Sequence, residues 1–577
     1  MKNNFTRNMA RFACTTMIAG KNATIDHSII VAHSDDDVAD ERVIFVPAYS
    51  YQKSDERRVY YDDASLGHKQ NYNSTPLRRY IGYDRGPGYA PVEGESFGLS
   101  TPIGAIPQYP ADDPDYPIPL PEKLKTYAYF DGSYGIMNEH NLMFGECTCG
   151  AKVHPQPKEE KRLFYSSELS RVALERCTNA VDAIKLMGYL IGKYGYYGTG
   201  ETLLVGDSSS AWVMEMCGYE EDGSDGIWVA RRVPDDHYFI AANEFRIREV
   251  DPLDPDLLFS ENLFEVCKNK KWWDPSQGTL DWLTAVSWGE YSNPYYSLRR
   301  VWRGLSLVAP SMNLPAWVEN GYTKAYPFSI KPDTMLSVAD IARVYRDHYE
   351  GTEFDLTQGL AAGPFACPDR YEKNPDQGDT FNLNKYTPEG AWERPISIYR
   401  CGMLTINQVR PDLPPPIAGI CWIGLDRPSA NCLIPFYTGV SKLPTKMETM
   451  ILTRFDRKNS AWWAFNYVAN YASIKYSSMI EDIKKLQKEL ETWSLHEVEK
   501  CDNQFKEQSS TDITRFCDTI LEEVLRRWWM LAETLIVTYN DGCLTDKENT
   551  MKQLGYSRQW LAYVGYFNGP ISYKKNS

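Results

Sequence analysis

The hydrophobic period of this chain changes in a fixed order, and that order limits the fold more than any other feature. Over Phe12–Ala32, "CTTMIAG" and "IIVAH" are short β-branched and apolar runs separated by turn residues in "KNATIDHS", which predicts strand, turn, strand. "RVIFVPAY" predicts another strand, and "TYAYFDGSYGIMNEHNLMFGECTC" a pair of strands around an "NEHN" turn. The period then shifts. In "SSELSRVALERCTNAVDAIKLMGYLIGKYG", Leu169, Val172, Ala173, Ala180, Ile184 and Leu190 are spaced for amphipathic helices. "ETLLVGDSSSAWVMEMCG" returns to a hairpin with "GDSSS" as its turn, and "HYFIAANEFRI" is a strand ending at Asn243. Strands, helices, strands: this order suits a sheet packed against helices.

Two stretches interrupt the pattern. Asp84–Glu122 is too rich in Pro and Gly for helix or central strand and predicts an ordered surface loop, and Gly363–Arg394 is a second loop-rich stretch. Strands resume at "LTINQVRPDLPPPIAGICWIG" and "NCLIPFYTGV". The last hundred or so residues are helical: "MIEDIKKLQKELETW" puts Ile483, Leu486, Leu490 and Trp493 on one face, and "DTILEEVLRRWWMLAETLIV" continues in kind. We divide the chain into a leader 1–13, a main domain 14–460 with insertions, and a helical extension 461–577. That extension either caps the core or forms the subunit interface of a homo-oligomer.

Composition narrows the function. A net charge of −15 argues against nucleic acid, which needs a basic footprint. The thirteen cysteines, an odd number without CxxC spacing, fit a reducing compartment, here the cytoplasm, rather than a disulfide framework. The leader "MKNNFTRNMARFA" lacks the apolar core of a secretory signal, and no run of about eighteen apolar residues predicts a membrane span.

Several chemistries lack their motif: there is no G-x-S-x-G, GxxxxGK[ST] or H-E-x-x-H. The lone G-x-G of "YGTGET" fails the dinucleotide pattern. No metal or other cofactor is expected. Cys147 and Cys149 form a C-x-C without a second ligand pair and read as strand residues. The adjacent Asp residues of "HSDDD" alternate faces on a strand and cannot converge on one ion.

Cys14 is the candidate nucleophile, although a Cys near a terminus is usually a small buried apolar residue. A thiol of ordinary pKa, about 8.5, needs a base. Cleavage between Ala13 and Cys14 would free an α-amino group of pKa about 7.7, placing nucleophile and base on one residue. The leader would then be a propeptide that masks the amine.

Six segments, "ACTTMIAGKNATIDHSIIVAHSDDD", "YAYFDGSYGIMNEHNLMFGECT", "VALERCTNAVDAIKLMGYLIGKYGY", "LLVGDSSSAWVMEM", "ANEFRI" and "IPFYTGV", occur in this order. Together they resemble the dipeptidase-A family of cysteine peptidases, which are N-terminal-nucleophile (Ntn) hydrolases. Penicillin V acylase and bile-salt hydrolase are similar at a greater distance. The resemblance covers roughly Cys14 to Pro444. It implies an α+β fold, the αββα four-layer sandwich with loop insertions and C-terminal helices, and autocatalytic loss of the leader.

The resemblance also implies roles. Cys14 matches the nucleophile that begins the mature chain. Asp36, in "HSDD", falls on the Asp that orients the nucleophile's α-amino group, and His33 stands where acylases and many dipeptidases have Arg. A neutral imidazole stabilises a thiolate less than a guanidinium does, and a structural residue at a strand end is the alternative for His33. Asn243 matches the side-chain donor of the oxyanion hole, with a backbone N–H near Thr148 as the second donor. Arg300 is expected beside the nucleophile, Arg299 being its competitor and an ordinary surface Arg the alternative for either. Glu146, on the same side of its strand as Thr148, either captures a substrate ammonium group or makes a structural salt bridge. Asn138 and Glu139 are expected to shape their turn. The expected activity is hydrolysis of dipeptides; the alternatives are an amidase for non-peptide amides and a secernin-like protein without peptidase activity.

Overall fold

The computed structural model describes residues 14–36, 42–60, 102–158, 161–220, 225–290, 294–371, 392–450, 454–509 and 511–569. The leader 1–13, the first part of the Pro/Gly-rich stretch up to 101, and 372–391 of the second lie outside them.

Two antiparallel sheets form the centre. The first has seven strands in the order Ser329–Ile330, Tyr238–Ala241, Thr15–Ala19, Ile29–Asp35, Met403–Val409, Gly419–Leu425 and Ile434–Tyr437. The second has eight: Leu257–Phe259, Gly226–Val233, Ala211–Gly218, Gly200–Gly206, Met143–Cys149, Gly135–Asn138, Tyr129–Asp131 and Ile44–Val46. The strands Thr15–Ala19 and Ile29–Asp35 lie face to face with Met143–Cys149 and Gly200–Gly206.

Helices Ser166–Arg176 and Ala180–Tyr194 cover the outer face of the eight-stranded sheet. Leu298–Val308, Val338–Tyr345 and the C-terminal Trp462–Ala472, Tyr476–Glu507 and Ile513–Thr538 cover the seven-stranded one. The result is the expected helix–sheet–sheet–helix sandwich, an α+β fold. Because both faces of each inner strand are covered, "TTMIA" and "IIVAHSD" are buried at every position, polar residues included. That is why the sequence shows apolar runs there rather than alternation.

The sheets approach closely where glycine permits. A Cβ at Gly145 would sit 2.7 Å from Thr16 Oγ1, and one at Gly206 would sit 2.8 Å from a Val31 methyl. The turn residues act as expected. Asn138 Oδ1 accepts the backbone N–H groups of His140 and Leu142, and Glu139 accepts that of Ala128. In "GDSSS", Asp207 Oδ1 accepts the N–H groups of Ser209 and Ser210. The Pro/Gly-rich stretch is less irregular than its composition predicts. Pro102–Pro107 is a strand, paired with Glu56–Tyr60 in a two-stranded sheet. Proline is compatible with such an edge because no second neighbour needs its missing N–H.

Candidate active site

The site forms where the first strand begins. Cys14 stands immediately before Thr15–Ala19 and is 2 % exposed. Its neighbour is pinned by the second strand: Thr15 N–H donates to Ser34 Oγ (3.1 Å). Helix Leu298–Val308 delivers a guanidinium from the other side. Arg300 Nη1 donates to the Cys14 carbonyl (2.7 Å) and to Thr15 Oγ1 (3.1 Å). Its Nη2 donates to the Ala242 carbonyl (3.2 Å) and to Asn243 Oδ1 (2.8 Å). The helix can aim this residue because its N-terminus is held: Glu290 Oε2 accepts the N–H groups of Ser297 (2.6 Å) and Leu298 (3.3 Å).

Arg299 points elsewhere. Its guanidinium lies 3.6 Å from the Phe354 ring centroid and 4.6 Å from that of Trp317, and it pairs with Glu393. Successive helical residues face about 100° apart, so only one of the two can reach Cys14. Neither is a surface residue, both being fully buried.

Asn243 ends the strand Tyr238–Ala241 and its turn, with φ of 62°, a left-handed conformation that Asn tolerates better than most residues. Arg300 binds its side-chain oxygen, so its nitrogen faces the other way and donates to the Thr148 carbonyl (2.8 Å). Residue and strand are thus tied together. In an extended strand the N–H and C=O of one residue point to the same edge, so the Thr148 N–H faces the Asn243 side as well.

Glu146 is the central acid. Cys14 Sγ donates to its Oε2 (3.2 Å), Thr148 Oγ1 donates to its Oε1 (2.8 Å), and His33 Nε2 lies 3.5 Å from Oε2. Burial alone would raise the Glu146 pKa, but His33, Glu201 and Cys14 outweigh it and hold it below the usual carboxylate range. Burial, then the Glu146 charge, pushes Glu201 well above that range. Tyr165 donates to Glu201. Burial works against a charged His33, yet interaction with Glu146 raises its pKa. The Cys14 thiol is pushed well above its ordinary range by burial and then by Glu146. Both effects favour the neutral thiol over the thiolate.

Asp36, fully buried, is paired with Arg394 (2.6 Å), while its Oδ1 has no hydrogen-bond partner. Arg394 thus provides a guanidinium on a carboxylate where His33 leaves none nearby in sequence. A pocket beside it is lined by Tyr296, Trp392, Glu393 and Arg400 among others. Of the "HSDDD" acids, Asp36 is turned to Arg394 and Asp37 lies outside the described residues. Cys147 and Cys149 sit within their strand. Cys147 Sγ accepts the Asn243 N–H (2.7 Å), and Cys149 Sγ meets Thr202 Oγ1 (3.1 Å).

The structure therefore gathers Cys14, His33, Glu146, Thr148, Asn243 and Arg300 into one cluster, with Asp36 adjoining. Sequence reasoning missed Arg394, which the loop-rich composition around it hides, and Glu201, which sits in an otherwise apolar strand without a motif.

Comparison with known proteins identifies a family. The model of "Peptidase family C69" matches residues 132–489. A probable dipeptidase of Salmonella dublin is 26% identical over 431 residues, covering 74% of this chain and 81% of that protein. Dipeptidase A of Lactobacillus helveticus is 25% identical over 482 residues, covering 81% and 83% respectively. The structure of penicillin V acylase from Agrobacterium tumefaciens aligns over 74% of this chain and 86% of that one at 9% identity, with a TM-score of 0.27.

Proposed function

Because the chain belongs to peptidase family C69, we propose that it is a cysteine dipeptidase whose nucleophile is Cys14, bared at the N-terminus by loss of residues 1–13. The observation that carries this reading is the Arg300 guanidinium, which holds the Cys14 carbonyl and the Asn243 amide at once. Nucleophile and oxyanion donor are thereby fixed relative to each other before substrate arrives, as electrostatic stabilisation requires.

In this mechanism the α-amino group of Cys14 accepts the thiol proton as sulfur attacks the peptide carbonyl. Asp36 Oδ1, a buried acceptor without a partner, supports that role by offering the amine an acceptor that fixes its orientation. Asn243 and the Thr148 N–H donate to the oxyanion. The amine passes the proton to the leaving group, and water then hydrolyses the thioester. The Arg394 and Arg400 wall of the neighbouring pocket suits the α-carboxylate of a dipeptide. Thirteen free cysteines suit a reducing compartment, and we place the enzyme in the cytoplasm. No helix among the described residues is long and apolar enough to cross a membrane.

Intact mass and N-terminal sequencing test the proposal. The wild type should begin at Cys14 and cleave dipeptides, whereas Cys14→Ala should keep its leader and lack activity. Preference for N-acyl amides over dipeptides would move the enzyme to the acylase branch. A full-length wild type that hydrolyses dipeptides would exclude the amine as base.

A further inference from the structure

We propose that the nucleophile cluster binds one zinc-type divalent ion through Cys14 Sγ, His33 Nε2 and Glu146 Oε2, and that this ion blocks peptide hydrolysis. The binding stands on geometry alone; the blockade rests on Cys14 being the nucleophile. The three atoms lie within 4.8 Å of one another, all buried. In a tetrahedral site with bonds of about 2.0–2.3 Å, neighbouring ligand atoms stand about 3.3–3.7 Å apart. Two edges are already near that length: Sγ to Oε2 is 3.2 Å and Nε2 to Oε2 is 3.5 Å. The third needs to close by about 1 Å at most.

A second observation points to a ligand. His33 is 5% exposed, and its Nε2 is buried without a hydrogen-bond partner. A metal would satisfy that nitrogen, which the Glu146 oxygen at 3.5 Å does not. The donor set of thiolate, imidazole and carboxylate selects zinc-type ions over magnesium or calcium, which prefer oxygen. Binding is a simple exchange: the sulfur–hydrogen bond breaks and a sulfur–metal bond forms, Nε2 binds through its lone pair, and the thiol proton leaves to water together with the Nε2 proton of a protonated His33. Nothing is oxidised or reduced. The fourth position falls to water or, once Cys14 is the first residue, to its own amine. A sulfur so engaged shares a lone pair with the metal, which draws off its electron density and makes it a much weaker nucleophile toward a peptide carbonyl.

Cobalt(II) is a suitable probe because a thiolate ligand gives it a charge-transfer band in the near ultraviolet. Titrating the purified protein should raise that band to saturation at one equivalent per chain, and zinc should displace it. Cys14→Ala should abolish the band, and His33→Ala and Glu146→Gln should each weaken binding about tenfold or more. On the wild type, zinc should slow iodoacetamide alkylation of Cys14, read by peptide mass spectrometry, and should inhibit hydrolysis with the same midpoint. The alkylation measurement needs no variant, so a poorly folding mutant does not leave the question open. No stoichiometric band, or unchanged binding in a folded His33→Ala protein, would overturn the site. Zinc that occupies Cys14 while dipeptide turnover continues would overturn the blockade. A protein that binds the ion yet cleaves no dipeptide would refute the dipeptidase reading and leave the site intact.

Discussion

Asn243 shows how much one residue is asked to do. Its backbone is left-handed, its N–H meets Cys147 Sγ, its oxygen meets Arg300 and its nitrogen meets Thr148. Replacement by Ala confounds two effects, because it removes the amide and also strains a positive φ. Gly removes the amide without the strain. We expect Asn243→Gly to fold, with a Tm lowered by the loss of its hydrogen bonds to Arg300 and Thr148, and to lose two to three orders of magnitude in kcat, roughly what loss of one oxyanion donor costs. Circular dichroism together with dipeptide kinetics checks this, and near-normal turnover would remove Asn243 from the chemistry. Arg300 gives a companion test. Lys carries the charge but lacks the fork that reaches Cys14, Thr15 and Asn243 together. Arg300→Lys should therefore lose at least about tenfold in kcat, with a smaller change in KM if its role is positioning.

At the scale of elements, the site depends on segments that hold one another in place. After Asn243 the chain is anchored by Glu215, from the middle of the strand Ala211–Gly218. Its Oε1 accepts the backbone N–H groups of Arg246 (2.6 Å) and Ile247 (3.2 Å). Burial raises the Glu215 pKa to about 8, and burial likewise raises that of its neighbour Glu244 to about 8. In the unfolded chain both titrate near the ordinary value of about 4.3. Above that value the folded protein holds protons that the unfolded chain has released. The stability tied to these groups is thus fully present below about pH 4.3 and is lost as pH rises through about 8. The Tm of the wild type should fall between pH 6 and pH 9. Glu215→Gln, which keeps a carbonyl acceptor and cannot ionise, should fall less over the same interval. A slope unchanged in the variant would show that Glu215 does not titrate there.

Across the whole molecule, the C-terminal helices share the hydrophobic core of the sandwich. Phe465, Leu490 and Trp528 belong to the same buried cluster as Ile420 and Phe436 of the seven-stranded sheet. Polar contacts lock the layers: Arg410 pairs with Asp502 (2.5 Å), and Tyr437 OH donates to the same carboxylate (2.7 Å). Ending the chain at residue 460 would bare that sheet face, so we expect the truncated protein to aggregate or to bind a hydrophobic dye. A soluble, active 1–460 fragment would show that the helices are dispensable. A milder test is Asp502→Ala, which leaves a largely buried guanidinium unpaired and should destabilise by about 3 kcal/mol, as breaking a buried ion pair does. Denaturant unfolding of the two proteins measures it.

What the sequence by itself determined is local and chemical. Hydrophobic period placed the paired strands, the two helices after Ser166 and the C-terminal helices, since each pattern must bury one face wherever the chain folds. The motifs around Cys14, Asn243 and "GECT" singled out candidate residues that the fold brings together, because nucleophile and donor types are visible as letters. Only the tertiary structure decided how they meet. Which of Arg299 and Arg300 faces the sulfur depends on the rotation of one helix. Arg394 reaches Asp36 across 358 residues of sequence, and Glu146 comes against both Cys14 and His33 because two sheets close over Gly145. Those contacts follow from packing between distant segments, and no short window of sequence contains them.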